Sequence, residues 1–286
     1  MDRDHLSRFG RAERSLAGLS VGDAFGEQHF GLPTTIVPRI EARQLPEGPW
    51  RWTDDTAMAL SIRDVLREHG AIDQDALAAG FARRFREDRM RGYGAKAQDI
   101  LEAIYSGTPW KIAARLPYRD GSKGNGGAMR AAPVGAYFAG DLKQVAEQAR
   151  RSAEITHAHP EGIAGAIAVA LAAAWACTGE VNMFDVVLSA LPDSETRRRC
   201  ESIADFHGAV WQAATRVGAG ENVLAEDTVP FSLWCAARHI DSYEDALWAT
   251  VSALGDRDTT CAIVGGIVAL RSPPPDSWVR RREPLR

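Results

Sequence analysis

The stretch Gly162-Ile163-Ala164-Gly165-Ala166-Ile167-Ala168-Val169-Ala170-Leu171-Ala172-Ala173-Ala174-Trp175-Ala176-Cys177 carries no charge, and its side chains are small or apolar throughout. A helix that is apolar on every side must be buried, either in protein or in lipid. This one falls short of the roughly 20 residues that span a bilayer. Its Ala and Gly side chains suit close helix packing, so it predicts the central buried helix of a soluble protein.

Outward from that helix, apolar residues recur at helical spacing almost everywhere. Met58, Ile62, Val65 and Leu66 share one face of a helix that ends near Gly70. Leu77, Phe81 and Phe85 follow at steps of four. Further helices are expected around Ile100, Leu101 and Ile104, around Leu142, Val145 and Ala149, over Ile203, Val210, Ala213 and Val217, and around Ile263, Ile267 and Val268. No strand alternates clearly, and no linker, low-complexity run or fixed-period repeat divides the chain. The expectation is one all-α domain over residues 1–286, with a core of about 11–271. Pro273-Pro274-Pro275 should break the last helix and leave 272–286 as a basic tail.

With 45% hydrophobic and 25% charged residues among 286, the composition is that of an ordinary globular protein. A formal net charge of −4 gives no general basic field for nucleic acid. Cys177, Cys200, Cys235 and Cys261 form no CxxC pair and read as thiols of a reduced compartment. Met1-Asp2-Arg3-Asp4-His5 has no apolar run behind it, so a cytoplasmic location without a membrane partner is expected.

Two acidic clusters stand far apart: Thr53-Asp54-Asp55-Thr56, and Asp256-Arg257-Asp258-Thr259-Thr260. Each stands where a helix begins, so capping of free N–H groups is one reading. Capping needs a single Asp or Thr, whereas adjacent carboxylates repel each other and call for a counter-charge. Oxygen donors without Cys or His suit hard divalent cations rather than zinc. Gly18-Leu19-Ser20-Val21-Gly22-Asp23-Ala24-Phe25-Gly26 allows a close backbone approach. Gly124-Asn125-Gly126-Gly127-Ala128-Met129-Arg130 is either a turn or a cradle for phosphate oxygens. Thr156-His157-Ala158-His159-Pro160 opens the central helix with two imidazoles.

Taken in order, GLSVGDAFG, WTDDTAMAL, GNGGAMRAAPVG, THAHPEGIAGAIA and GDRDTTCAIVGGI resemble the ADP-ribosylglycohydrolase family, over about Gly18 to Leu270. The resemblance implies an all-α domain that binds two Mg²⁺ or Mn²⁺ ions in a cleft and hydrolyses the bond joining ADP-ribose to an acceptor. It implies that Thr53, Asp54, Asp55, Asp256, Asp258 and Thr259 supply metal oxygens. Asn125, Gly126, Gly127, Met129 and His157 would contact the ADP-ribose, and the partner would be an ADP-ribosylated protein or small molecule. Asp55 or a nearby glutamate would handle the proton.

One departure stands out. Where relatives place a glutamate seven residues after the Asp of the GDxxG motif, this chain has Phe30. Glu27 either reaches the same role from a different backbone position or is a solvated helix-end residue. The segment from Thr228 to Trp248 should wall the cleft, with Trp234 and Trp248 in the core and Phe231 or Trp52 free to stack on adenine. A two-metal phosphohydrolase and a catalytically silent ADP-ribose binder remain the alternative functions.

Overall fold

The computed structural model describes residues 3–179 and 182–285, so the expected domain ends at Met1, Asp2 and Arg286 lie outside the described residues. Among the described residues there is no strand, only sixteen α-helices and one 3₁₀ turn, Asn125–Gly127. The helices are α1 (Arg3–Glu27), α2 (Pro33–Glu41), α3 (Asp54–His69), α4 (Gln74–Glu87), α5 (Ala95–Tyr105), α6 (Trp110–Ala113), α7 (Ala132–Tyr137) and α8 (Leu142–Glu154). They continue as α9 (Pro160–Thr178), α10 (Met183–Ala190), α11 (Glu195–Ile203), α12 (Val210–Val217), α13 (Ala225–Arg238), α14 (Tyr243–Val251), α15 (Arg257–Val268) and α16 (Asp276–Arg281).

The central helix is α9. Pro160 stands in its first turn, His159 Nδ1 accepts from the Glu161 amide at 3.0 Å, and Gly179 closes it in the left-handed region at φ 67°. Its length and composition would allow it to cross a membrane, but α7, α8 and α13 pack around it and almost all of its side chains are buried. Its apolar sequence is accounted for by that burial.

The ends of the chain meet in the core. Gly18, Gly22 and Gly26 recur every four residues on one stripe of α1, and that stripe lies directly on α15. A β-carbon at these positions would come within 2.3, 2.1 and 2.2 Å of the carbonyl oxygens of Gly265, Cys261 and Arg257. Only glycine permits this approach. The crossing carries Asp23, between Gly22 and Gly26, to the start of α3, and it sets the start of α15 beside them.

Two expectations are corrected by the structure. The segment around Ile203 and Val210 is two helices, because the Phe206 carbonyl leaves the helical pattern and accepts from Trp234 Nε1 at 2.8 Å. The segment after the prolines is no loose basic tail. Trp278 on α16 is 1% exposed and stacks on Phe25 at 4.6 Å between ring centroids, while Glu283 N donates to Trp50 O at 2.8 Å. Burial of one large aromatic accounts for this docking.

Candidate active site

The start of α3 is shaped by a carboxylate from another helix. Both oxygens of Asp23 accept from the Thr53 amide, at 3.0 and 2.9 Å, and Oδ2 also accepts from the Thr56 amide at 3.1 Å and from Thr56 Oγ1. Asp23 is fully buried, which raises its carboxyl to about 6 despite the lowering effect of those hydrogen bonds. On the outer side, Asp54 N donates to Arg91 O at 2.7 Å. The Arg91 guanidinium stacks 3.5 Å over the Trp52 ring and pairs with Glu283 at 2.6 Å, so the C-terminal segment helps fix this entry.

The start of α15 is held by a backbone bond, Asp256 N to Ala219 O at 3.0 Å, and through a side chain. Asn125 Nδ2 donates to Asp256 Oδ2 at 2.7 Å and to Thr228 Oγ1 at 3.0 Å, and Asn125 N donates to Val223 O at 3.0 Å. The loop from Gly220 to Leu224 is tied in turn by Asp227, which accepts from Asn222 N at 2.9 Å and from Leu224 N at 3.2 Å. Val223 sits in the left-handed region at φ 52°, unusual for a β-branched residue.

Both starts open on one cavity of about 1080 Å³. Its wall includes Asp54, Asp55, Asp256, Asp258 and Thr259, together with Asn125, Gly126, Met129 and His157. Thr53 and Gly127 lie behind that wall: Thr53 is 5% exposed with its amide on Asp23, and Gly127 packs toward Ala153 and the Gly162 carbonyl. Burial, then the neighbouring Asp258 and Asp23, hold Asp54 and Asp55 well above the usual carboxylate range. Burial, then Asp258, raises Asp256 to about 8, and burial, then Asp23, raises Asp258 to about 6. Asp55 Oδ2 and Asp258 Oδ1 are buried without any hydrogen-bond partner. Buried polar atoms are nearly always satisfied, so two orphaned carboxylate oxygens on one cavity mark where a positive group belongs. Among the described residues, no three His, Cys, Asp or Glu side chains make a finished metal shell. The donor chemistry nonetheless fits a hard divalent cation: oxygen atoms only, buried, repelling one another and short of partners.

Glu27 stands apart from that wall. It is exposed at the end of α1, its carboxyl raised by partial burial and lowered by Arg51. Phe30 is 45% exposed, with the Arg257 guanidinium over its ring at 4.8 Å. The aromatic residues expected near adenine are elsewhere: Phe231 is 0% exposed in the core with Trp234, and Trp52 is 8% exposed under Arg91. Trp234 and Trp248 are core residues, as expected. Tyr118, half exposed, is the one Phe, Tyr or Trp on the cavity wall among the described residues.

Two supports of the cavity wall escaped sequence reasoning: Asp23 and Asp227. The signal for Asp23 was present, since an aspartate inside a glycine-spaced apolar helix must be buried and therefore bonded.

A profile of the ADP-ribosylglycohydrolase family matches residues 4–283. The chain belongs to the ADP-ribosylglycohydrolase family. Human ADP-ribosylhydrolase ARH3 is 27% identical over 96% of this chain and 88% of its own length. An uncharacterized protein of Archaeoglobus fulgidus is 27% identical over 92% of this chain and 88% of its own length. A solved structure, an ADP-ribosylglycohydrolase-related protein complex, superposes with a TM-score of 0.71 at 26% identity, covering 97% of this chain and 94% of that one. Family membership makes the chain a glycohydrolase.

Proposed function

We propose that this enzyme cleaves the glycosidic bond between ADP-ribose and an acceptor with the help of two divalent cations, Mg²⁺ or Mn²⁺. Asp54, Asp55, Asp256, Asp258 and Thr259 would hold them, with Thr53 in support. The observation that carries the reading is the pair of buried, unpartnered oxygens, Asp55 Oδ2 and Asp258 Oδ1, on a cavity large enough for a nucleotide-sized ligand. Bound there, the cations supply charge stabilisation, orient the ribose hydroxyls and lower the pKa of a bound water.

The rest falls to the chain itself. Lys96, Arg119 and Lys123 line the same cavity and give a diphosphate its counter-charge. Asn125, Gly126, Met129 and His157 then face the diphosphate and adjacent ribose. Cleavage at an anomeric carbon passes through an oxocarbenium-like state, which needs an oriented water and a proton acceptor. Asp55 is that acceptor: its carboxyl is on the cavity wall, with one oxygen left without a hydrogen-bond partner. Glu27 acts at a distance, adding to the negative field that raises Asp258.

The test is a panel of ADP-ribosylated substrates, with arginine, serine, nucleobase and O-acetyl linkages, incubated with Mg²⁺, Mn²⁺ or chelator while released ADP-ribose is followed. Cleavage with metal and its loss in chelator are expected. No cleavage of any substrate under any metal condition would sink the substrate reading, and full activity in chelator would sink the metal reading. Release of inorganic phosphate instead would support a two-metal phosphohydrolase.

A further inference from the structure

Behind the Asn125–Gly127 turn runs a chain of hydrogen bonds that begins on a buried cation. Arg130 is 0% exposed; its NH1 donates to the Gly126 carbonyl at 2.8 Å, and its NH2 donates to the Ser152 carbonyl at 3.2 Å and to Thr156 Oγ1 at 2.8 Å. The guanidinium also lies 4.4 Å over the Phe81 ring. Thr156 Oγ1, itself fully buried, is 2.8 Å from His157 Nδ1. The His157 ring lies flat beneath the glycines of the turn, where a β-carbon on Gly126 would come within 2.6 Å of Cε1 and one on Gly124 within 3.1 Å of Nε2.

Donor and acceptor counting settles the proton positions. A guanidinium only donates, so Thr156 Oγ1 accepts from Arg130 and its own hydrogen must go elsewhere. The one acceptor within reach among the described residues is His157 Nδ1, and a buried hydroxyl hydrogen left unbonded is costly. Nδ1 is therefore the bare nitrogen. Nε2 carries the proton and has no hydrogen-bond partner among the described residues, on a ring that forms part of the cavity wall.

We propose that Arg130 and Thr156 are positioning residues that lock His157 in its Nε2–H form, so that it meets the substrate as a hydrogen-bond donor to a phosphate or ribose oxygen and not as a base. The inference rests on the reading of the cavity as an ADP-ribose site. Burial and the adjacent Arg130 also push His157 down to about 3, which keeps the ring uncharged throughout the working range.

The tautomer is read directly from long-range ¹H–¹⁵N correlation spectra of ¹⁵N-histidine-labelled protein without ligand. Wild type and Thr156→Ser should both show His157 with a bare Nδ1, whereas Thr156→Val should gain a population protonated there. Calorimetry with ADP-ribose in Mg²⁺ should give a Kd within about twofold of wild type for Thr156→Ser and about tenfold weaker for Thr156→Val. KM should rise with that loss while kcat holds within about twofold, because the donor bond forms equally in ground and transition states. A proton on Nδ1 in the wild type, or a Thr156→Val protein that binds ADP-ribose like the wild type, overturns the proposal. Failure of the wild type to bind ADP-ribose counts against the substrate reading alone, since the tautomer is measured without ligand.

Discussion

The two helix starts that face the cavity are anchored in different ways. At α3 a buried carboxylate holds the backbone: Asp23 takes the amides of Thr53 and Thr56 and the Thr56 hydroxyl. At α15 one backbone bond, Asp256 N to Ala219 O at 3.0 Å, is joined by a hold on the side chain, where the Asn125 amide takes one oxygen of Asp256 and depends on a loop containing a left-handed Val223. Several hydrogen bonds converging on one buried carboxylate fix a position more firmly than a single side-chain bond. Both starts are therefore fixed in the core, α3 by several bonds to one buried carboxylate and α15 by its crossing with α1, a backbone bond and the Asn125 amide.

The comparison can be broken most sharply at the chemistry. Asp55→Asn keeps the shape of the α3 start but removes the proton acceptor, and kcat for release of ADP-ribose should fall by about 10²–10⁴-fold. A variant with full metal-dependent activity would remove Asp55 from that role.

Removing the brace comes next. Asp23→Asn offers its amide N–H₂ to backbone donors, leaves some of them unpaired in the core, and should cost about 2–3 kcal/mol in denaturant unfolding. Asn125→Ala, which leaves the Asp256 backbone bond to Ala219 in place, should cost only about 1 kcal/mol by the same measurement. Equal costs would mean that the two starts are anchored alike.

The pH dependence tests the α15 start directly. Asp256 stands at about 8 in the folded chain against the usual 3.8, so the fold holds a proton that the unfolded chain has released. That contribution to stability is full below about pH 4 and is lost as pH rises toward 8. In chelator, the melting temperature of the wild type should fall over this range more steeply than that of Asp256→Asn, whose side chain does not titrate. Parallel curves would contradict the raised value. The smallest effect is expected at Val223→Gly, which relieves the left-handed valine and should gain about 0.5–1 kcal/mol in the same unfolding experiment.

Much of this was legible in the sequence, for identifiable reasons. Helices signal themselves locally, so α3, α4, α9 and α15 could be read from their apolar patterns and, for α3, from the closing Gly70. The acidic clusters were visible because adjacent carboxylates at a helix start exceed what capping needs. What escaped reading depends on contacts between distant segments. Nothing local to Trp278 tells that it stacks on Phe25, and nothing near Arg130 tells that its guanidinium reaches Thr156. Phe231 and Trp52 show the same limit, since a sequence offers an aromatic ring without saying whether Trp234 or Arg91 has already covered it.

The glycine stripe of α1 also bears on how the enzyme comes into being. Ser15 and Gly266, 251 positions apart, are joined by a hydrogen bond of 2.7 Å within the α1–α15 crossing, and Asp23 and Asp258 flank the same seam. Contacts this remote repay their loop-closure cost only when nearly the whole chain is available. On the ribosome, α1 emerges before α15 and waits with its glycine face uncovered until that helix follows. Until then the chain holds only half of the acidic cavity wall.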